Sequence, residues 1–104
     1  MDELLKQALL YDFYGELLTD HQKEIYEQFI LEDLSLGEIA RDAGISRQGV
    51  HDLVKRCDRT LQEYEEKLHL VSRFLTVKEQ IHKIREILDQ EPAEDISVLK
   101  SEIR

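Results

Sequence analysis

The sequence has few of the residues that cross-link, kink or anchor a small protein. It contains one cysteine, one proline, four glycines and no tryptophan. A single cysteine, Cys57, excludes an intramolecular disulfide. No stretch approaches the roughly 20 consecutive apolar residues of a membrane-spanning helix, and the first residues are acidic where a secretory signal is basic. We therefore expect a cytoplasmic protein.

Leucine, isoleucine, glutamate and lysine are abundant, and no segment shows the alternating pattern of a β-strand. A chain of 104 residues fits one domain and can bury roughly two thirds of its unfolded surface. The sequence predicts an all-α protein with a single helical domain over residues 1–91 and a short amphipathic tail over 92–104.

Residues 35–54 carry the signals of a helix-turn-helix unit. Ser35 and Glu38 have the spacing of a capping box, which begins a helix at Leu36. Gly44 suits the left-handed turn that ends this helix, and Ser46 caps the next one. Ile45 is predicted to fill the corner between the two helices. The apolar side chains fall in helical register, and they are Leu36, Ile39, Ala40 and Ala43 in the first helix, and Val50, Leu53 or Val54, and Cys57 in the second.

The outward face of the second helix carries side chains that can contact bases and phosphates. The candidate nucleic-acid-binding residues are Ser46, Arg47, Gln48, His51, Asp52, Lys55 and Arg56. A helical hairpin whose turn only resembles the motif is the alternative.

Basic side chains are scarce for a DNA-binding protein, since the chain has 14 Lys and Arg against 23 Asp and Glu and a net charge of −9. Residues 1–34 carry −7, residues 35–60 carry +1 and residues 61–104 carry −3. DNA affinity depends largely on cations that neutralise phosphates. The unit would therefore bind weakly, bind as a dimer, or bind protein.

Helices are also predicted on both sides of the unit. Residues 2–14 form a helix that ends near Gly15, and Thr19 with Gln22 caps the next one. The predicted apolar faces are Leu4, Leu5, Ala8, Leu9 and Tyr11 in the first helix, and Ile25, Tyr26, Phe29 and Ile30 in the second.

The apolar stripe of the second helix of the unit continues from Val50 to Leu75, so we expect this helix to be long. We place a break at residues 72–76, followed by a capping box of Thr76 with Glu79 and a helix over 77–90. The tail follows Pro92. The long stripes could close on the first two helices of the same chain or on a second copy, and we favour a two-fold homodimer.

Catalytic and metal sites are not indicated. The four histidines, at positions 21, 51, 69 and 82, lie on different predicted segments, and none has a partner at metal-ligand spacing. Cys57 lies on an apolar face, and no Gly-rich phosphate loop is present. We expect no enzyme activity and no cofactor.

Several segments resemble region four of bacterial sigma factors. They are residues 18–22 (Leu-Thr-Asp-His-Gln), 25–26 (Ile-Tyr), 34–40 (Leu-Ser-Leu-Gly-Glu-Ile-Ala), 44–50 (Gly-Ile-Ser-Arg-Gln-Gly-Val) and Arg56. With residues 11–15 (Tyr-Asp-Phe-Tyr-Gly) and the following Leu-Leu-Thr, the chain looks more closely like the YlxM family. These are small, all-helical bacterial proteins encoded beside GTPases of the signal recognition particle pathway.

The resemblance implies a helix-turn-helix regulator with a role in that pathway, and it assigns the recognition face to Ser46, Arg47, Gln48, His51, Asp52 and Lys55. Asp52 departs from a basic binding face. Two hypotheses follow. The first is a DNA-binding regulator. The second is a non-enzymatic adaptor that binds the GTPase or RNA of the signal recognition particle.

Overall fold

A computed structural model describes residues 2–90 of the chain, and this part contains five α-helices and no strand. A single 3-10 turn, Gly15–Leu17, follows the first helix. The helices are α1 (Glu3–Tyr14), α2 (Asp20–Ile30), α3 (Leu36–Ala43), α4 (Arg47–Leu68) and α5 (Leu70–Gln90). The predicted all-α fold is confirmed.

Local capping signals fix where most of these helices begin. The Thr19 and Gln22 pair and the Ser35 and Glu38 pair both form complete capping boxes, in which side chain and backbone satisfy each other's free hydrogen-bonding groups. Ser46 accepts from the backbone N–H of Gly49 at the start of α4. These three sequence predictions are confirmed.

The core forms where α4 packs against α1, α2 and α3. Fully buried side chains come from all four helices and include Tyr14, Ile25, Tyr26, Ile39, Val50, Cys57 and Leu61. Val54 is buried and Leu53 only partly, which settles the alternative left open in the sequence. The part of the stripe from Val50 to Leu68 thus lies in one continuous helix of 22 residues, which supplies a row of side chains to the core.

The buried face of α1 differs from the predicted one. Leu10, Tyr11 and Tyr14 point into the core, whereas Leu4 and Leu5 are each 51% exposed. Of the predicted apolar residues of α1, only Tyr11 is buried. Leucines occur on every side of this helix, so the apolar pattern does not fix its orientation, which depends on the polar contacts of the tyrosines. The Tyr14 hydroxyl donates to Glu65 of α4 and the Tyr11 hydroxyl to Glu27 of α2.

The break after the long helix lies earlier than predicted. His69 takes a left-handed conformation with φ 56°, and its N–H closes α4 onto the carbonyl of Glu65. Residues 70–90 are then one helix, so the predicted break at 72–76 is wrong. Thr76 is not a cap, because it lies inside α5 and its hydroxyl donates to the carbonyl oxygen of Ser72. Threonine inside a helix can donate to the carbonyl of the preceding turn in this way. The spacing of Thr76 and Glu79 is the same whether Thr76 is a cap or an interior residue, so the sequence could not distinguish the two.

Polar contacts join α4 to the helices that pack against it. Asp58 accepts from the Tyr26 hydroxyl of α2 and from the Gln7 amide of α1. Near the end of α4, Glu65 accepts from both the Tyr14 hydroxyl and the backbone N–H of Val71, and the Leu70 N–H donates to the Tyr14 oxygen. Burial and the carboxylate contacts raise the pKa of Tyr11, Tyr14 and Tyr26.

The chain divides into two compact units, residues 1–71 and 72–104. The helix-turn-helix and its core belong to the first unit, and the described part of the second is the remainder of α5. The single domain over 1–91 stays a prediction, and the tail over 92–104 lies outside the described residues. No helix within 2–90 is both long and apolar enough to cross a membrane.

The buried thiol of Cys57 predicts a loss of stability in alkali. Burial raises its pKa from an ordinary value of 9.0 to about 11, so its contribution to stability is complete below pH 9 and is lost as the pH rises through 11. We expect the free energy of unfolding to fall by about 2 to 3 kcal/mol over this range. Urea titrations at several pH values measure it, and Cys57→Ala should reduce the slope of the profile between pH 9 and 10, where the unfolded thiol ionises ahead of the unfolded tyrosines, whose ordinary pKa is 10.0. An unchanged slope there in Cys57→Ala would contradict the prediction.

Candidate nucleic-acid interface

Three local features build the turn between α3 and α4. Gly44 has φ 70°, a left-handed conformation that costs other residues a steric clash, and its N–H bonds the Ala40 carbonyl. The Ile45 N–H bonds the same carbonyl, and Ser46 then caps α4. Ile45 does not fill the corner as predicted, since its side chain is 37% exposed. The helix-turn-helix geometry therefore follows from backbone caps and from Ile39, Ala40 and Val50, which are buried between the helices.

The seven predicted site residues are all exposed. Six lie on the first three turns of α4, and Ser46 is its cap. Five of them, Gln48, His51, Asp52, Lys55 and Arg56, lie on the side of α4 that faces away from buried Val50, Val54 and Cys57, whereas Ser46 and Arg47 are exposed at its N-terminal end. The structure thus gathers them on one surface, the recognition face, defined as Ser46, Arg47, Gln48, His51, Asp52, Lys55 and Arg56.

Asp52 is the organising residue of the recognition face. It accepts a 2.9 Å hydrogen bond from the Gln48 side-chain amide, and its carboxylate lies 3.6 Å from the Nδ1 atom of His51. Gln48 keeps its carbonyl oxygen and one N–H for an outside partner. Asp52 therefore orients the Gln48 side chain and lies near His51, at the expense of a negative charge on the surface.

Two shallow grooves border the recognition face. The first is lined by Leu36 of α3 together with Arg47, Gln48 and His51. The second lies between the start of α2 and the outer side of α4, and is lined by Thr19, His21, Gln22, Gly49, Asp52, Leu53 and Arg56. Sequence reasoning missed Leu36, Thr19, His21 and Gln22 as neighbours of the site. The capping box predicted where α2 starts. That the start of α2 lies beside Arg56 depends on how α2 packs on α4, which the sequence does not show.

An acceptor-rich hollow lies between α2 and α3. It is lined by His21, Glu24, Ile25, Gln28, Asp42 and Ala43. The Gln28 side-chain oxygen is buried and has no hydrogen-bond partner among the described residues. The carboxylates of Glu24 and Asp42 suit a donor or a cation, so the hollow is unfavourable for phosphate. We name it the α2/α3 hollow.

Removing the charge of Asp52 is expected to strengthen nucleic-acid binding. Asp52→Asn keeps an oxygen that can accept from Gln48 but abolishes repulsion of phosphates, so affinity should rise about two- to threefold at low salt and less at high salt. Fluorescence anisotropy with labelled duplex DNA measures the change. Asp42→Asn, an exposed position on α3 outside the recognition face, is the matched control. Equal gains in both variants would mean that only net charge matters.

The described residues hold no group of three or more His, Cys, Asp and Glu side chains suited to a metal ion. Cys57 is buried on the inner side of α4 and its thiol is held protonated by burial, so it does not face the site.

Comparison with known proteins agrees with this geometry. A family model described as "Putative helix-turn-helix protein, YlxM / p13 like", of the UPF0122 family, matches residues 1–101. The chain is 52% identical over 87 residues to a UPF0122 protein of Caldanaerobacter subterraneus subsp. tengcongensis, covering 84% of this chain and 74% of that protein.

Two further relatives match over greater lengths. A UPF0122 protein of Thermoanaerobacter sp. strain X514 is 46% identical over 101 residues, covering 95% of this chain and 86% of that protein. One of Acetivibrio thermocellus is 47% identical over 102 residues, covering 98% and 85% respectively. The chain therefore belongs to the UPF0122 family of YlxM/p13-like helix-turn-helix proteins.

Proposed function

We propose that the protein is a non-enzymatic, cytoplasmic regulator that binds DNA through the recognition face. The observation that carries the proposal is the start of α4, where a capped, tightly packed helix presents Arg47, Gln48 and His51 on an exposed surface. A helix of this kind fits the major groove, where donors and acceptors on base edges are read.

Five residues of the recognition face contact the DNA directly in this proposal. Arg47 and Gln48, in the first turn, contact base edges. Ser46 and the N–H groups at the start of α4 meet a phosphate, because the positive end of the helix dipole favours an anion. Lys55 and Arg56, two turns further on, hold the DNA backbone.

The charge of the molecule supports binding as a two-fold homodimer. One recognition face supplies only three cations, Arg47, Lys55 and Arg56, on a chain of net charge −9. Two copies double the number of phosphate contacts and so the slope of affinity against salt. Two faces separated by about 34 Å would reach successive turns of the major groove.

Sequencing of nucleic acid that co-purifies with the protein tests the proposal most directly. We expect enrichment of a short duplex sequence with two-fold symmetry, and salt-sensitive binding of that sequence by the purified protein. Recovery of no nucleic acid, together with no salt-sensitive binding to any duplex, would refute it.

The α2/α3 hollow favours a second function, that of an adaptor in the signal recognition particle pathway. Its acceptors and the acidic surface around it suit a basic protein or ribonucleoprotein, whose attraction to a −9 chain speeds encounter. A pull-down with the particle's GTPase and RNA at two salt concentrations tests this role. A complex lost in Glu24→Gln/Asp42→Asn but kept in Arg47→Ala would support it, and absence of any complex at low salt would refute it.

A further inference from the structure

Helix α5 carries an unusual apolar row. Val77, Ile81, Ile84 and Leu88 follow one another at spacings of four, three and four, the pattern of a coiled-coil seam. These side chains and neighbouring Ile87 are 39–58% exposed. A contiguous row of this size on a helix surface marks an interaction site. We call it the α5 seam.

Charges along α5 are sorted by face. Lys78 and Arg85 border the α5 seam on one side, since each directly follows a seam residue and they lie seven positions apart. Arg85 makes no ion pair with any residue in 2–90, and the Lys78 nitrogen lies 6.0 Å from the centre of the Phe74 ring. The acids Glu79 and Glu86 lie on the far face, where they pair with Lys83 and His82. The seam therefore has a basic edge.

Pairing of two α5 seams would set like charges against each other. In an antiparallel pair the edge with Lys78 and Arg85 meets the same edge of the second helix. In a parallel pair Lys78 meets Arg73 of the second copy, and Arg85 meets Gln80. The basic edge instead fits an apolar row that has acidic neighbours.

The outer face of α1 has this character. Leu5, Leu9 and Asp12 are spaced four and three apart on the side of α1 opposite buried Tyr11 and Tyr14, and Glu16 lies in the 3-10 turn that follows the helix. Leu5, Asp12 and Glu16 are exposed, and Glu16 also forms a 3.0 Å ion pair with Lys23. The face thus combines apolar surface in its first half with carboxylates in its second.

We propose that the α5 seam of each copy packs on the outer face of α1 of a second copy, with Lys78 and Arg85 facing Asp12 and Glu16 across the contact. The inference rests on the homodimer of the proposed function and defines its interface. Two-fold symmetry repeats the contact, so the dimer has two identical interfaces, each formed by the α5 seam of one copy and α1 of the other. The residues of the recognition face belong to neither contacting surface.

Exchange of the charges tests the pairing. We expect wild-type protein to dimerise in sedimentation equilibrium, and both Lys78→Glu/Arg85→Glu and Asp12→Lys/Glu16→Lys to weaken self-association by about tenfold. An equimolar mixture of the two variants should restore dimers, because both contacts of the mixed dimer then join opposite charges. Lys67→Glu/Lys83→Glu and Glu24→Lys/Glu32→Lys change net charge equally at exposed positions outside the contact, and should dimerise like wild type. Thermal melts establish that all variants are folded.

Three results would overturn the pairing. The first is a monomer at every concentration of the wild type, and the second is normal dimerisation of Asp12→Lys/Glu16→Lys. The third is failure of the mixture to restore dimers. DNA binding by each protein is measured separately. If the dimerisation results contradict the pairing but the protein still binds DNA in a salt-sensitive way, only the pairing is overturned. If the mixture restores dimers but no protein binds DNA, only the proposed function is overturned.

Discussion

Replacing Arg47 by alanine is expected to weaken sequence-specific DNA binding about 5- to 100-fold, because a good bidentate contact between arginine and a base contributes about 1–3 kcal/mol. Arg47 lies in the first turn of α4, is exposed and borders the groove with Gln48 and His51. The loss should be larger for the enriched sequence than for unrelated duplex DNA, since a base contact carries sequence information and a phosphate contact does not.

Lys67→Ala is the matched control for this experiment. Lys67 is exposed on the same helix and its truncation removes the same charge, but it lies about three turns beyond Arg56, away from the recognition face. Anisotropy titrations at several salt concentrations separate the two effects. Equal losses for Arg47→Ala and Lys67→Ala would show that α4 attracts DNA only through its net charge, and would contradict a role for Arg47 in base recognition.

Truncation of Leu61 is expected to cause the largest loss of stability. Leu61 lies in the middle of α4 and is completely buried, so Leu61→Ala removes apolar contacts and leaves a cavity in the core. Such substitutions cost about 2–5 kcal/mol. For a small domain this is a large part of the total stability. Urea unfolding followed by circular dichroism measures it as a shift in midpoint.

Leu68→Ala provides the comparison for Leu61→Ala, because the same substitution is made on the same helix at a side chain that is 45% exposed. We expect this variant to lose less than about 1 kcal/mol. Similar losses in the two variants would mean that α4 is not stabilised chiefly by the buried row that Leu61 shares with Val54 and Cys57.

Those parts of the fold that depend on neighbouring residues were predictable from the sequence. Capping boxes at Thr19 and Ser35, the left-handed Gly44 and the cap at Ser46 each involve groups within one helical turn, so their spacing suffices. The break at His69 was not predictable in this way. Residues other than glycine seldom adopt positive φ, and here distant Tyr14 accepts from the N–H of Leu70 beside His69.

The same distinction applies to the candidate site. Outward positions on α4 follow from the apolar register, so the exposure of Gln48 and Lys55 was predictable, whereas Arg47 is exposed because it lies in the first turn. Contacts between elements were not predictable. The orientation of α1 depends on tyrosine hydroxyls that reach carboxylates 16 and 51 residues away, and the groove beside Arg56 depends on how α2 crosses α4.

The continuity of α4 limits how the length of this chain can vary. One unbroken helix carries the recognition face at its start and supplies Cys57 and Leu61 to the core further along. Each residue turns the helix by about 100°. A single insertion after Arg56 would therefore rotate the recognition face away from its direction relative to the core, whereas the loop after α2 can absorb one. Substitutions can retune the specificity of this surface, but insertions and deletions in this stretch of α4 would misdirect it.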